Sequence, residues 1–522
     1  MSYRNQQALD YEPVTRGGGG PSRSAEEFPA PPPLEFPAPR FEVEEGAEPK
    51  SHKNSAQESP KTPAPSVRAA RSAKDESWIV KRGHFITYLG IFLFTFVLYF
   101  RPYELFPALA GFSSMAMVLA LLTLAIYVPS QFSLEGNLTA RPREVNLLLL
   151  LTAMALISMP FATSLPDAWA TFNDIFLKAV LMFIVMVNVV RTESRLKGLI
   201  WLSIGVSCLL SLNAVDNYRA GLFTVEGYRV EGNLGGMFGN PNDMALHLVT
   251  VIPLVVALLL SARSIPIKLL YGAGAVLMVA GTVVTFSRGG FIGLAGSMVI
   301  MALKIGRRNR LLVILVSLVV VAAFLALAPG NYGIRILSLF DSNLDAVGSS
   351  TARQQLLIRS LIVAARNPLV GVGMGNFPIY SIHDHVSHNA YTQVAAELGL
   401  AAAAFYTLFI VTPLKRLWQI EKETFEVRYS SRYYYLAVGM QASLIAYMLS
   451  SFFSSVAYHW YVYYLVAYAI ALRRIYDLEQ DTMREQEAEA GEGKLTGAAK
   501  KEEDRRAATL GGLGARPEQA TG

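Results

Sequence analysis

The chain has 522 residues, of which 52% are hydrophobic and 16% charged, and its mean hydropathy is +0.34. Soluble domains carry nearer a quarter of charged residues, so this balance excludes an ordinary soluble enzyme and points to a polytopic membrane protein. The single cysteine, Cys208, excludes disulfides within the chain and cysteine-based zinc sites, and the net charge of +6 gives no reason to expect nucleic acid, because much of the excess sits in short loops between apolar runs.

Residues 1–80 are rich in Pro, Gly, Ser and charge (GGGGPSRS, FPAPPPLEFPAPRFEVEEGAEP), without a secretory signal pattern. They offer too little apolar surface to offset the entropy of ordering. A disordered cytoplasmic tail is expected, either plainly solvated or docking cytoplasmic SH3-like partners through its prolines. Residues 84–475 are read as the membrane domain. A bilayer core takes about twenty apolar residues. Such windows recur at 85–100, 108–128, 145–162, 175–190, 198–215, 243–261, 269–286, 290–303, 311–328, 391–412, 434–453 and 456–472. The expected fold class is an all-α integral membrane protein of about 12 transmembrane helices, with a large outer loop, 329–390, between helices 9 and 10. Residues 476–522 (EQDTMREQEAEAGEGKLTGAAKKEEDRRAA within them) are read as a second disordered, charged cytoplasmic tail, with a helical start as the alternative for its first residues.

Basic residues test this threading. Lys81 and Arg82 precede the first window, and every second loop after it is basic. These loops carry Arg141 and Arg143, then Arg191, Arg195 and Lys197, then Arg263 and Lys268, then Lys304, Arg307, Arg308 and Arg310. Lys415, Arg416, Lys422, Arg428 and Arg432 follow, and finally Arg473 and Arg474. By the positive-inside rule both termini lie in the cytoplasm. On the opposite side the loops 216–242 and 329–390 contain arginine but no lysine: Arg219, Arg229, Arg335, Arg353, Arg359 and Arg366, with Arg288 in a short turn. The arginine fork matches phosphate oxygens at two points, which suggests an anionic, phosphorylated ligand. Pairing with lipid headgroups or nearby acids is the alternative for any one of them.

Three stretches gather polar groups on that outer side. In TFSRGGFIGL (285–294), Ser287-Arg288-Gly289-Gly290 breaks two apolar runs, and the glycines permit a tight break and close approach of a ligand to the backbone. A snorkelling arginine on a simple turn is the other reading. In GYRVEGNLGGMFGNPNDMALHL (227–248), Asn240-Pro241-Asn242-Asp243 caps and launches a helix whose free N–H groups suit an anion, leaving Arg229 to be explained. In the large loop, Arg353–Ala365 forms an amphipathic helix on the membrane surface. The glycines Gly371, Gly373 and Gly375 lack nucleotide-loop spacing and read as a tight, ligand-approaching backbone.

HDHVSHNAYTQVAAELG follows. A helix starting near Asn389 places Asn389, Gln393 and Glu397 on one inward face, with His388 just above it. An imidazole near a carboxylate can serve as a general base near neutral pH. A metal site built from His383, Asp384, His385 and His388 is the alternative, but the H-x-H-x-x-H run falls short of a metallo-hydrolase pattern.

The turn Ser287-Arg288-Gly289, the helix start Gly239–Asn242, NPLVGVGMGNF and HNAYTQVAAELG together resemble the O-antigen ligase and O-antigen polymerase superfamily, over roughly residues 85–475. The resemblance implies a bacterial inner-membrane glycosyltransferase of surface polysaccharide biosynthesis, needing neither metal nor other cofactor. Its donor would be a glycan on polyprenyl (undecaprenyl) diphosphate and its acceptor a sugar or lipid-linked chain, met at the outer, periplasmic face with inversion at the anomeric carbon. The family's loop histidine maps onto His388 as base, and its turn arginine onto Arg288. The arginine of the earlier loop maps onto Arg229, with Arg219 close by, for the diphosphate. Asn389, Gln393 and Glu397 would support His388, or Glu397 would simply satisfy buried amides. The competing reading of the chain is a transporter of an anionic solute, which would place ionisable groups near the midplane in broken helices, usually with an internal repeat. Neither feature is evident in the sequence. A membrane scaffold would leave the outer arginines and His388 idle.

Overall fold

A computed structural model describes residues 83–112, 114–223, 228–230, 232, 238–306, 311, 349–381 and 384–512, with side chains as far as 488. The described residues are helical, connected by turns. In chain order the long helices are α1 (Phe85–Phe100), α2 (Met115–Glu135), α3 (Arg143–Ser158), α4 (Leu165–Val189), α5 (Glu193–Arg219), α6 (Pro241–Ser261) and α7 (Ile265–Val284). Then come α8 (Arg288–Ile305), α9 (Ser349–Arg366), α10 (Ala390–Leu398), α11 (Leu400–Glu423), α12 (Tyr434–Ser450) and α13 (Trp460–Gly512). Among the described residues ten helices, α1 to α8 with α11 and α12, are long and apolar enough to cross a membrane. This is a multi-span membrane protein.

The spans sort themselves by what they bury. Along its most apolar window α6 is 78% buried and α12 72%, against 17% for α2. So α6 and α12 form the centre, packed on each other, with α7 and α8 beside them. By contrast, α2 turns Met117, Leu121, Leu122 and Phe132 outward, as a lipid-facing helix does. Lipid supplies no hydrophobic drive between helices, so close approach and hydrogen bonds must hold the centre. At the α6–α12 crossing, a Cβ on Gly439 would stand 2.9 Å from the Pro253 carbonyl.

Two ion networks tie the basic end of the bundle. Glu135 pairs with Arg191 at 2.5 Å and Arg474 at 3.2 Å, joining the end of α2 to the turn after α4 and to α13. Arg432 reaches Glu193 at 2.7 Å and Glu479 at 2.5 Å, while Lys304 meets the buried Glu421 at 2.5 Å. Loss of Glu135 or of Lys304 would leave the buried Arg191 or Glu421 with an uncompensated charge. These contacts collect the residues that the alternating charge pattern had assigned to one side.

Several expectations need correction. The window 391–412 is not one helix. Gly399, at φ +90, separates α10 from α11, and the Leu400 amide turns away to donate to the Pro368 carbonyl at 2.8 Å. The second window shifts to 115–135 because PALAGF (Pro107–Phe112) forms a 3-10 turn. The fourth begins ten residues early, at Leu165, and passes through a π-helical turn, Phe172–Phe176. The charged tail, read as disordered or helical only at its start, is helical as far as Gly512, where α13 ends after a stretch rich in Ala, Glu, Lys and Arg, all strong helix formers. The ninth window, 311–328, and the tail 1–80 lie outside the described residues, Leu311 excepted, as do 329–348 and 382–383 of the large loop.

Candidate active site

At the end of the bundle opposite the ion networks, three helices begin on polar caps. Asn240 accepts from the Asn242 amide at 2.8 Å to start α6, and Ser287 accepts from the Gly290 amide at 3.2 Å to start α8. Asn389 accepts from the Tyr391 and Thr392 amides, both at 3.0 Å, to start α10. Each cap satisfies part of a helix N-terminus while leaving its positive end toward the site.

Arg229 is the brace between the first two. It is 1% exposed; its Nε donates to the Thr285 carbonyl at 2.9 Å and its Nη2 to Asn242 Oδ1 at 2.8 Å. It therefore links the first turn of α6 to the last turn before Arg288. Phe286, at φ +50, bends the chain, and Arg288 follows as the first residue of α8, buried at 4% exposure. The glycines after it make the tight break that the sequence suggested, and protein atoms crowd both of them. A Cβ on Gly289 would stand 2.9 Å from Phe453 Cβ, and one on Gly290 2.7 Å from Ala245 Cβ, so the close approach is by the protein itself.

His388 occupies the corresponding bend before α10. Its φ of +51 is left-handed, unusual for a residue with a side chain and a mark of constrained backbone. The flanking residues fix it: Ser387 Oγ donates to the Asn389 carbonyl at 3.0 Å, and Tyr391 donates to the Met448 carbonyl at 3.2 Å. Half-buried, His388 has its pKa pushed down to about 3, by desolvation first and then by the charges of Arg353 and His385. The imidazole is thus held in the neutral, proton-accepting form, but well below the near-neutral pKa at which a general base works best. Arg353, on the first turns of α9, emerges as a neighbour of His388 that the loop-arginine reading had not singled out.

The inward stripe of α10 is present: Asn389, Gln393 and Glu397 are all buried. Glu397, however, is about 12 Å of helix rise from Asn389 and serves a different partner. Its Oε1 accepts from the Phe377 amide at 3.4 Å, and its own backbone carbonyl accepts from the Gly373 amide at 2.9 Å. Burial pushes the carboxyl up to about 7, opposed by the Gly375 and Phe377 amides and by the facing Tyr458 and Gln393 side chains. Of the two roles left open for Glu397, these contacts match the satisfying of amides.

The glycine run packs on the far end of the same helix. Gly371, Gly373 and Gly375 all have positive φ, and a Cβ on Gly371 would stand 2.2 Å from the Glu397 carbonyl carbon. The tight backbone expected to approach a ligand instead approaches α10. Gly371→Ala is expected to cost about 3 kcal/mol through clash and strained φ together, read as a lowered thermal midpoint of the purified protein; an unchanged midpoint would sink this packing account.

The remaining sequence candidates are placed less centrally. Arg219 is exposed at the C-terminal end of α5, where a cation complements the helix dipole. Asp384 is exposed and His385 half-buried, and His383 lies outside the described residues. What the sequence reading passed over is Ser450-Ser451-Phe452-Phe453-Ser454-Ser455, the connection after α12, which touches both bends. Ser450 Oγ donates to the Gly289 carbonyl at 3.0 Å, and Ser455 Oγ lies 3.1 Å from Ser387 Oγ. The only signal for it was a serine-rich break in an apolar run.

A family model described as O-antigen ligase matches residues 273–407, a span that runs from α7 through the Arg288 turn, His388 and α10 into α11. A search of curated proteins found no match.

Proposed function

Because the chain belongs to the O-antigen ligase and polymerase superfamily, we propose that it transfers an oligo- or polysaccharide from a polyprenyl diphosphate carrier to an acceptor sugar hydroxyl. In this reading the site end faces outward across a bacterial inner membrane and the basic end faces the cytoplasm, as the lysine and arginine asymmetry favours. One observation carries it: the bend holding Arg288 and the bend holding His388, a hundred positions apart, are both tethered to the connection 448–455.

His388, neutral, takes the proton of the acceptor hydroxyl. The hydroxyl oxygen forms a bond to the anomeric carbon as the carbon–oxygen bond to the carrier diphosphate breaks, and the electron pair leaves with the diphosphate. Direct displacement of this kind inverts the anomeric centre. Arg288 presents its fork to the leaving phosphate beside the N-terminus of α8, and positive charge fixed there is already in place when negative charge develops. Arg229, held by Thr285 and Asn242, adds a second fixed positive charge and keeps the turn in shape. No metal enters the step.

The test has two arms. A deletion strain should accumulate lipid-linked glycan and lose the corresponding surface glycan. Purified protein should move glycan from a polyprenyl-diphosphate donor to acceptor in the presence of a chelator. Unaltered surface glycan together with no transfer in vitro would overturn the function; activity lost to chelator and restored by metal would overturn the mechanism.

A further inference from the structure

Hydroxyls within membrane helices usually bond back to their own preceding turn, as Thr95 does to the Ile91 carbonyl and Ser207 to the Ser203 carbonyl. Ser450, the last residue of α12, does otherwise, and Ser455 in the connection after it also reaches a distant segment. Ser450 Oγ donates to the Gly289 carbonyl, 161 positions away, and fills the space beside Gly293, where a Cβ would meet it at 2.0 Å. Phe453 occupies the corresponding space beside Gly289. On the other side, Ser455 shares a hydrogen bond with Ser387 at 3.1 Å, the residue before His388, and Ser451 Oγ donates to the Tyr391 hydroxyl at 3.4 Å. The connection is itself held from the bundle: Tyr447 donates to the Val456 carbonyl at 3.4 Å and Tyr463 to the Ala457 carbonyl at 2.9 Å.

We infer that this serine-rich connection is a clamp that sets the position of the Arg288 turn relative to His388, with Ser450 and Ser455 as positioning residues. It explains why Gly289 and Gly293 are glycines: any larger residue there would displace the clamp. The clamp presupposes the glycan-transfer reading above, because what it aligns are the phosphate-binding turn and the base. A displacement of about 1 Å between such groups can cost a hundredfold in rate, so loss of one clamp hydrogen bond is expected to lower kcat by about tenfold.

The test uses the full chain in a membrane mimic, with a polyprenyl-diphosphate-linked glycan as donor. Ser455→Ala should lower kcat about tenfold while leaving donor KM and thermal midpoint unchanged, and Ser455→Thr should restore it. Ser387→Ala removes that bond together with the contacts of Ser387 to Asn389, so it should be at least as severe as Ser455→Ala, and adding Ser455→Ala to it should cost nothing further. Ser450→Ala should have the larger effect; if it fails to fold, the Ser455 series decides. Retained kcat in Ser455→Ala, or additive losses in the pair, overturns the clamp. A second readout needs no transfer: spin labels at the exposed Val386 and Val299, with Cys208 replaced by serine, report the spacing of the two halves. Their distance distribution should broaden in Ser455→Ala, and an unchanged distribution also overturns the clamp. Absence of transfer by the wild-type protein, with the broadening present, overturns the glycan-transfer reading instead.

Discussion

His388→Ala is expected to abolish glycan transfer, lowering kcat by about 10²- to 10⁴-fold, the range a positioned general base supplies. Donor binding should survive, because the imidazole acts on the acceptor hydroxyl and the arginines hold the diphosphate. Residual activity within threefold of wild type would rule out His388 as the base. The pH dependence supplies an independent check. His388 is pushed down to about 3 by desolvation and by Arg353 and His385, so it stays in its basic form throughout the neutral range. The acid limb of the rate profile should therefore lie well below the ordinary histidine range. Arg353→Gln removes one of the downward influences, and the limb should move to higher pH, though not the whole way, since desolvation is the larger cause. Stability follows the same sign. The unfolded chain binds a proton at His388 near pH 6.5 that the folded chain refuses. This group's contribution is thus intact above that pH and lost as pH falls toward 3.

Arg288→Ala should be nearly as severe, lowering kcat by about 10²- to 10³-fold, the usual cost of deleting one preorganised donor to developing negative charge. The more discriminating variant is Arg288→Lys. Lysine keeps the charge but offers a point donor on a flexible stem, without the planar fork. If phosphate is held at two points, Lys should recover little of the loss; a wild-type rate in Arg288→Lys would show that charge alone suffices. Both variants keep the Ser287 cap, whose acceptor serves the Gly290 amide. A thermal midpoint close to wild type is therefore expected, and it separates loss of chemistry from loss of fold.

Much of the architecture was legible before any coordinates. Hydropathy windows and the alternation of Lys and Arg are local or averaged quantities, imposed by the bilayer on every segment independently of its neighbours. They located ten of the spans to within a few residues at most ends, and they picked out the end where Arg191, Arg432, Arg474 and Lys304 form ion pairs. Helix caps are equally local, so Asn240, Ser287 and Asn389 could be read from their offsets to the next apolar run. The expectations that failed depend on contacts between distant segments. The window 391–412 looked continuous because nothing in its composition announces that Pro368 will capture the Leu400 amide. The glycines at 289, 290, 371 and 373 were read as room for a ligand, and the room is taken by Phe453, Ala245, Glu397 and Ala162.

The sequence by itself determined that this chain enters a membrane, which end of the bundle is basic, and that Arg288 and His388 stand at helix starts away from that end. Those properties follow from hydrophobicity, charge and capping, which act over one turn or one span. Only the tertiary structure decided that Arg229 braces the turn before Arg288, that Glu397 secures a glycine loop, and that Ser450 and Ser455 reach the two bends from between them. Each of these is a hydrogen bond between segments 20 to 161 positions apart. Its existence depends on how helices rotate and pack against one another, a relation that no local pattern encodes.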